Sequence, residues 1–341
     1  ARGADSSATG EDSTAVGGRS AAIGLESSAV GYENLADGFG ASALGGENEA
    51  TAQFATATGW ANTASGQNSL AAGRGNQSTG ENSAAFGNQS VGSATSELAV
   101  GDIAQARGAR STALGLNASA SDLDGLAAGS FASASQEEAT ALGTLAVASA
   151  AQATAVGSRA QATGEGSTAV GLQSEASGEE SSAVGVRATA LGLESAAFGY
   201  EVVADGFGAT ALGGESVATN QFATSVGWAN TASGQNSMAT GRGNQATGLN
   251  SAAIGNQSVA SGDSALAVGD NAQATGELAT AVGTNTLADG SETVALGSGT
   301  TATGEETTAV GVRSVANGLE SSAIGYENLA DGFGASALGG E

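Results

Sequence analysis

Ser13-Thr14-Ala15-Val16-Gly17 is followed, seven residues on, by Ser20-Ala21-Ala22-Ile23-Gly24. From Gly3 a glycine recurs every seven residues as far as Gly339, at 43 of 49 stations. The six departures are Ala52, Ala94, Asp122, Gln136, Ala150 and Asn220. All lie in the alternate set that contains Gly10 and Gly24, and the set Gly3, Gly17, Gly31 and onward has none. The true period is therefore 14 residues, in two similar but unequal halves. Within each half a period-2 alternation bounded by Gly reads as a short strand and a turn. The Gly allows a positive φ or a close backbone approach at the corner. Fourteen residues then make one coil of two strands, joined to the next coil by parallel ladders. The fold class is all-β, a parallel β-solenoid, and residues 1–341 read as one repetitive unit rather than two globular domains.

The alternation assigns the faces. The residue two before the station is Ala in 45 of 48 half-repeats, with Ser78, Gly92 and Ser225 as exceptions. That face is the inside of a very narrow coil. The residue just before the station points outward. In the variable set it is polar in 22 of 24 cases, Ile23 and Leu191 apart. In the invariant set it is large and apolar in 20 of 24. Those residues are Val16, Val30, Leu44, Phe86, Val100, Leu114, Leu142, Val156, Val170, Val184, Phe198, Leu212, Val226, Ile254, Val268, Val282, Leu296, Val310, Ile324 and Leu338. One outer face is thus polar, and the other is expected to carry an unbroken apolar ladder. A soluble monomer rarely exposes such a strip, so identical ridges are expected to cover one another. At ~4.8 Å per coil, about 24 coils would extend ~115 Å.

Composition removes several function classes. The formal net charge is −25, which makes nucleic acid and anionic lipid poor partners. There is no Cys, His or Pro. Disulfides are absent, and so are the usual catalytic bases and thiol nucleophiles. No enzyme activity and no cofactor are expected. No apolar run approaches the ~18–20 residues of a membrane span. The sequence begins and ends inside a repeat, and so reads as a piece of something longer.

Ser-x-Ala-Val-Gly and Ser-x-Ala-Thr-Gly halves at period 14, clear in 11–24, 164–178 and 304–318, resemble the YadA-like head of trimeric autotransporter adhesins. The resemblance covers nearly the whole chain. It implies a left-handed parallel β-roll, with three chains packed side by side. The ridge residues would then form the trimer interface. It also implies display on the surface of a Gram-negative bacterium, held in the outer membrane by parts of the protein other than these residues. No basic neck, heptad stalk or membrane anchor is read here. The stretch 116–150 departs from the pattern, because Asp122, Gln136 and Ala150 replace corner glycines that would tolerate αL better. Differently turned or larger corners are expected there.

A longer repeat overlies the short one. Near-copies occupy 25–92, 193–260 and 319–341, offset by whole coils. Besides Phe86 and Phe198 of the apolar ladder, they hold ten of the thirteen aromatics: Tyr32, Phe39, Phe54, Trp60, Tyr200, Phe207, Phe222, Trp228, Tyr326 and Phe333. All ten sit one or two places after a station. With Arg74 and Arg242 they are the candidate ligand-binding residues. The competing reading has them packing on neighbouring coils or across subunits and stiffening the structure. Corner carboxylates such as Glu179-Glu180 read as a solvated face, not a metal site, and the Asp-Gly corners are ordinary turn chemistry. Two functions compete. One is an adhesin head holding host matrix, cell-surface proteins or material surfaces through many weak contacts. The other is a passive spacer for a distal binding domain. An ice-binding solenoid fits poorly, since Thr is interleaved with Ser, Asp and Asn.

Overall fold

A computed structural model describes residues 1–340. It divides into two units, 1–173 and 174 onward, each a run of 14-residue coils. In the first, strands such as Thr14–Gly18, Ser28–Tyr32 and Ser42–Gly46 alternate with two-residue strands such as Ala21–Ala22 and Leu35–Ala36. Long strands pair with long and short with short, all parallel. Ala15 stands opposite Ala29 and Ala29 opposite Ala43, while Ala22 stands opposite Ala36. The second unit repeats the plan, with Ala196–Tyr200, Thr210–Gly214 and Thr224–Trp228 paired in the same 14-residue register.

The expected interior is observed. Ala29, Ala36, Ala43 and Ala50 have no solvent exposure, and the same holds down the column in both units. A second inward column, three residues after each station, was not foreseen. It holds Ser, Ala, Thr and, more tellingly, buried Asn34, Asn48, Asn62 and Asn76. These asparagines form a ladder. Asn48 Nδ2 donates to Asn34 Oδ1, to Leu44 O and to Gly59 O at 2.8–3.0 Å. Asn62 and Asn76 repeat the pattern one and two coils on. In the second unit Asn244 does the same on Asn230, which itself donates to Val226 O and Gly241 O. The ladder adds side-chain donors to carbonyls near the ends of the long strands and ties each coil to the next through the interior.

The two glycine sets serve different ends. Gly17 has φ +117, a region that disfavours side chains. Gly24 has no such φ, but a Cβ there would lie 2.2 Å from Gly38 O in the next coil. Left-handed geometry instead falls two residues after the station, at Arg19 (φ 53), Glu26 (φ 55) and their equivalents. This corrects the concern over Asp122, Gln136 and Ala150, none of which takes a positive φ. Across that stretch Ser119, Ser133 and Val147 keep the 14-residue register. What changes is the other corner. From Thr112–Leu114 to Thr168–Val170 the long strand stops before its station, and the corner closes by a backbone bond such as Ala132 N to Gly129 O at 3.3 Å. Ala stands at 118, 132, 146 and 160 in these coils, where Asn stands at 34, 48, 62 and 76, although Ala104 and Ala272 follow longer strands.

The three exceptions to the interior Ala each have a local cause. Ser78 Oγ lies 2.7 Å from Ser83 Oγ, and Ser225 Oγ donates to Asn230 O at 3.0 Å. Gly92 makes room for a carboxylate: a Cβ there would sit 3.2 Å from Glu97 Oε2.

Candidate binding surfaces

The residues before the invariant glycines face outward from the long strands. Val16, Leu44, Val100, Leu114, Phe198, Leu212 and Ile324 are exposed, and Val30, Phe86, Val156 and Val170 are half-buried. Cross-coil pairing stacks them in one column, since Val16 opposes Val30 and Val30 opposes Leu44. The column is interrupted, contrary to the unbroken ladder expected. Leu44 opposes Thr58, Thr58 opposes Ala72, and only Phe86 restores a large apolar side chain. Ala128 breaks it again between Leu114 and Leu142, and Thr240 between Val226 and Ile254.

The twelve candidate binding residues separate into two groups at different corners of the coil. Phe39 and Phe54 follow variable stations. Their rings meet edge to face with centroids 5.2 Å apart, and Phe207 and Phe222 repeat this at 5.2 Å. Phe54 takes φ 55 like the equivalent residue of other coils, and its ring lies over Gly40, where a Cβ would meet it at 2.7 Å. Phe333 follows station 332 in the same way and is exposed.

Tyr32, Trp60 and Arg74 instead follow invariant stations, two residues beyond the ridge position on the same outward face. Pairing runs Tyr32 to Gly46, Gly46 to Trp60, Trp60 to Arg74, Arg74 to Asn88 and Asn88 to Asp102. The second unit has Tyr200, Gly214, Trp228, Arg242, Asn256 and Asp270 in the same order. The tyrosines are internally partnered. Arg19 stacks on Tyr32 at 5.5 Å from its centroid and pairs with Glu33. Arg187 stacks on Tyr200 and pairs with Glu201 at 2.7 Å. Arg313 stacks on Tyr326, donates to its hydroxyl at 2.6 Å and pairs with Glu327 at 2.9 Å. Such corners are knitted across coils, as the packing reading expected. Trp60 and Trp228 are different. Each lays its six-membered ring over a glycine, where a Cβ at Gly46 or Gly214 would meet ring carbons at 2.4 or 2.3 Å. Both indoles nevertheless remain about half exposed, at 47% and 48%.

A family model described as the YadA head domain repeat matches this chain in successive segments, beginning at residues 3–20 and 8–34 and running through 36–62, 120–146 and 204–230 to 302–328. Together these segments cover most of the sequence. The chain belongs to the YadA head family. Comparison with curated protein sequences finds no match. This YadA head is built from a non-catalytic adhesin repeat. Among the described residues no group of acidic side chains is placed to hold a metal ion.

Glu97 of this YadA head was not singled out from its sequence. It is an inward-facing carboxylate, 2% exposed. Its Oε1 accepts from Ala94 N, and its Oε2 has no partner among the described residues. Burial pushes its pKa up to about 7, against the opposing backbone hydrogen bonds from Ala94 and Ser93. The signal was available twelve coils on, at and just beyond the end of the near-copy, where Ala260, Gly262 and Ala265 replace Gly92, Ala94 and Glu97.

Proposed function

We propose that this chain works as an adhesin head, assembled as a homotrimer through its ridge and attaching a bacterial cell to host cells, matrix proteins or abiotic surfaces by repeated weak contacts. The observation that carries the reading is the outward apolar column on the long strands. It stacks coil upon coil in each unit and is left half-exposed in the single chain. Apolar side chains aligned in register gain from burial against an identical column, at about 25 cal/mol per Å² removed from water. The family supports the adhesive role and a site on the cell surface, with an outer-membrane anchor elsewhere in the parent protein. Weak sites become effective because each trimer presents every corner three times and each chain carries near-copies of them.

Light scattering tests the assembly. The purified chain is expected at three times its 32.1 kDa. Val156→Asp with Val170→Asp, two adjacent ridge positions, should convert it to a folded monomer, because paired carboxylates cannot be buried uncompensated. A wild-type chain that is monomeric at micromolar concentration would remove the ridge argument. A binding screen of the trimer against matrix proteins and bare surfaces then separates an adhesive head from a passive spacer. The spacer reading gains from the self-partnered Arg–Tyr–Glu corners, and it predicts no retention on any of them.

A further inference from the structure

The Trp–Arg corner differs from every other corner on its column in charge, space and partnering. Four of the nine arginines, Arg19, Arg110, Arg187 and Arg313, pair with an acid one coil on. Arg74 and Arg242 have no ion pair or side-chain hydrogen bond among the described residues. The corner position beside the column, elsewhere often Glu, Asp or Arg, holds Ala61, Gly75 and Gln89 in three successive coils. In the second unit it holds Ala229, Gly243 and Gln257. On this corner and its column acids resume only at Glu47 and Asp102, or Glu215 and Asp270; Glu49, Glu81, Glu97 and Asp263 belong to other positions of the coil. In a chain of net charge −25 this leaves an uncompensated guanidinium at an acid-free corner, beside an indole with few side chains around it. The ridge steps down beside each arginine, to Ala72 ahead of Arg74 and Thr240 ahead of Arg242, and beside Trp60 it steps down to Thr58, whereas Trp228 follows Val226. Each guanidinium therefore stands clear of the large apolar side chains of the ridge.

We infer that Trp60–Arg74 and Trp228–Arg242 are two copies of a site for an acidic saccharide, a pyranose bearing a carboxylate. The indole rests on Gly46 or Gly214 and offers a flat apolar surface already ordered by the backbone beneath it. A sugar ring presents C–H groups to such a surface, and little side-chain entropy is lost on contact. Adjacent coils are ~4.8 Å apart, so a carboxylate on the stacked ring reaches the next column residue, where the guanidinium fork waits. Asn88 and Asn256 commit their amide nitrogens to Asp102 and Asp270 at 2.7 Å, which leaves the amide oxygens to accept from sugar hydroxyls. The copies differ at many positions, including 57, 58, 70, 72, 78, 81 and 86. They are identical through Gly59–Ser69, Gly73–Gln77 and Gly87–Val91, which hold the Trp, Arg and Asn of each site, and they share the glycine beneath the indole, Gly46 or Gly214. The inference concerns which ligand an adhesive head would take, and it does not depend on the number of subunits.

The chain contains two tryptophans, and they are the two in the proposed sites, so fluorescence excited at the red edge of the indole band, where the three tyrosines do not absorb, reports on those sites alone. Titration of the native protein with trigalacturonate should change the emission saturably. A neutral trisaccharide should bind at least tenfold more weakly. Arg74→Gln with Arg242→Gln, both exposed substitutions, should erase that preference while the ridge-mediated assembly stays intact. Three results would overturn the proposal: no change up to millimolar trigalacturonate, an equal response to inorganic sulfate or to an acidic peptide, or indoles shielded from acrylamide in the native protein. The last would place them between protomers. Loss of surface adhesion in a protein that still titrates would count against the adhesin reading alone.

Discussion

Replacing Asn62 by Leu is expected to accelerate amide hydrogen exchange in coils 48–90 by about a hundredfold or more, while coils beyond the near neighbours exchange as before. Asn62 Nδ2 donates to Asn48 Oδ1, Thr58 O and Gly73 O, at 2.9, 3.0 and 2.9 Å. Its Oδ1 accepts from Asn76 N and Nδ2 at 3.0 and 2.9 Å. Leu fills a similar volume but leaves these groups without their partner in a site closed to water. Each orphaned buried group costs roughly 1–3 kcal/mol, so a local loss of about 3–5 kcal/mol follows after partial relaxation. The effect stays local because each coil touches only its neighbours. Asn62→Ala should be milder. Ala132 occupies the same position in a coil whose corner closes through its own backbone, and the mutated corner can adopt that form. If Leu at position 62 leaves exchange within a few-fold of the parent, the ladder is ornamental and the corners are held by something else.

That ladder also marks where reading the sequence reached its limit. The 14-residue period, the Ala interior and the outward apolar column were legible because each is a constraint on one position repeated many times. Polar interior residues were not, since Asn and Ser look like turn residues when judged by type. The recurrence of Asn34, Asn48, Asn62 and Asn76 at steps of 14 was the clue, because a ladder that bonds from coil to coil must keep phase. The corner glycines were recognised with a positive φ and a close approach both open, but αL was wrongly expected at the variable stations Asp122, Gln136 and Ala150. Sequence shows that Gly24 is required; only the structure shows that Gly38 O in the next coil excludes a Cβ there. The aromatics were placed correctly at corners yet grouped as one patch. Which of the two corners each occupies depends on whether its station belongs to the invariant or the variable set. That distinction parts Phe39 and Phe54 from Tyr32 and Trp60.

Glu97 gives the second large effect, and its sign is fixed by the direction of its shift. An ordinary Glu titrates near 4.5, whereas burial in the coil pushes this one up to about 7. Below pH 4.5 both folded and unfolded chains hold the proton, and the group costs nothing. As pH rises from 4.5 toward 7 the unfolded chain releases its proton while the folded coil keeps it, so stability falls. Above 7 the folded coil ionises too, and the loss levels off at about 3 kcal/mol, from ~1.4 kcal/mol per unit of pKa. Exchange of amides in coils 84–111 should therefore quicken about a hundredfold between pH 4.5 and 8, beyond the intrinsic dependence of exchange itself. The internal copy supplies the control. Gly92→Ala, Ala94→Gly and Glu97→Ala together rebuild the coil as Ala260, Gly262 and Ala265 have it, and that protein should lose the extra pH dependence. Gly92→Ala alone should destabilise instead, because the new methyl would crowd Glu97 Oε2 at 3.2 Å. Equal pH profiles for the parent and the triple variant would mean that water reaches the carboxylate and that its burial carries no charge penalty.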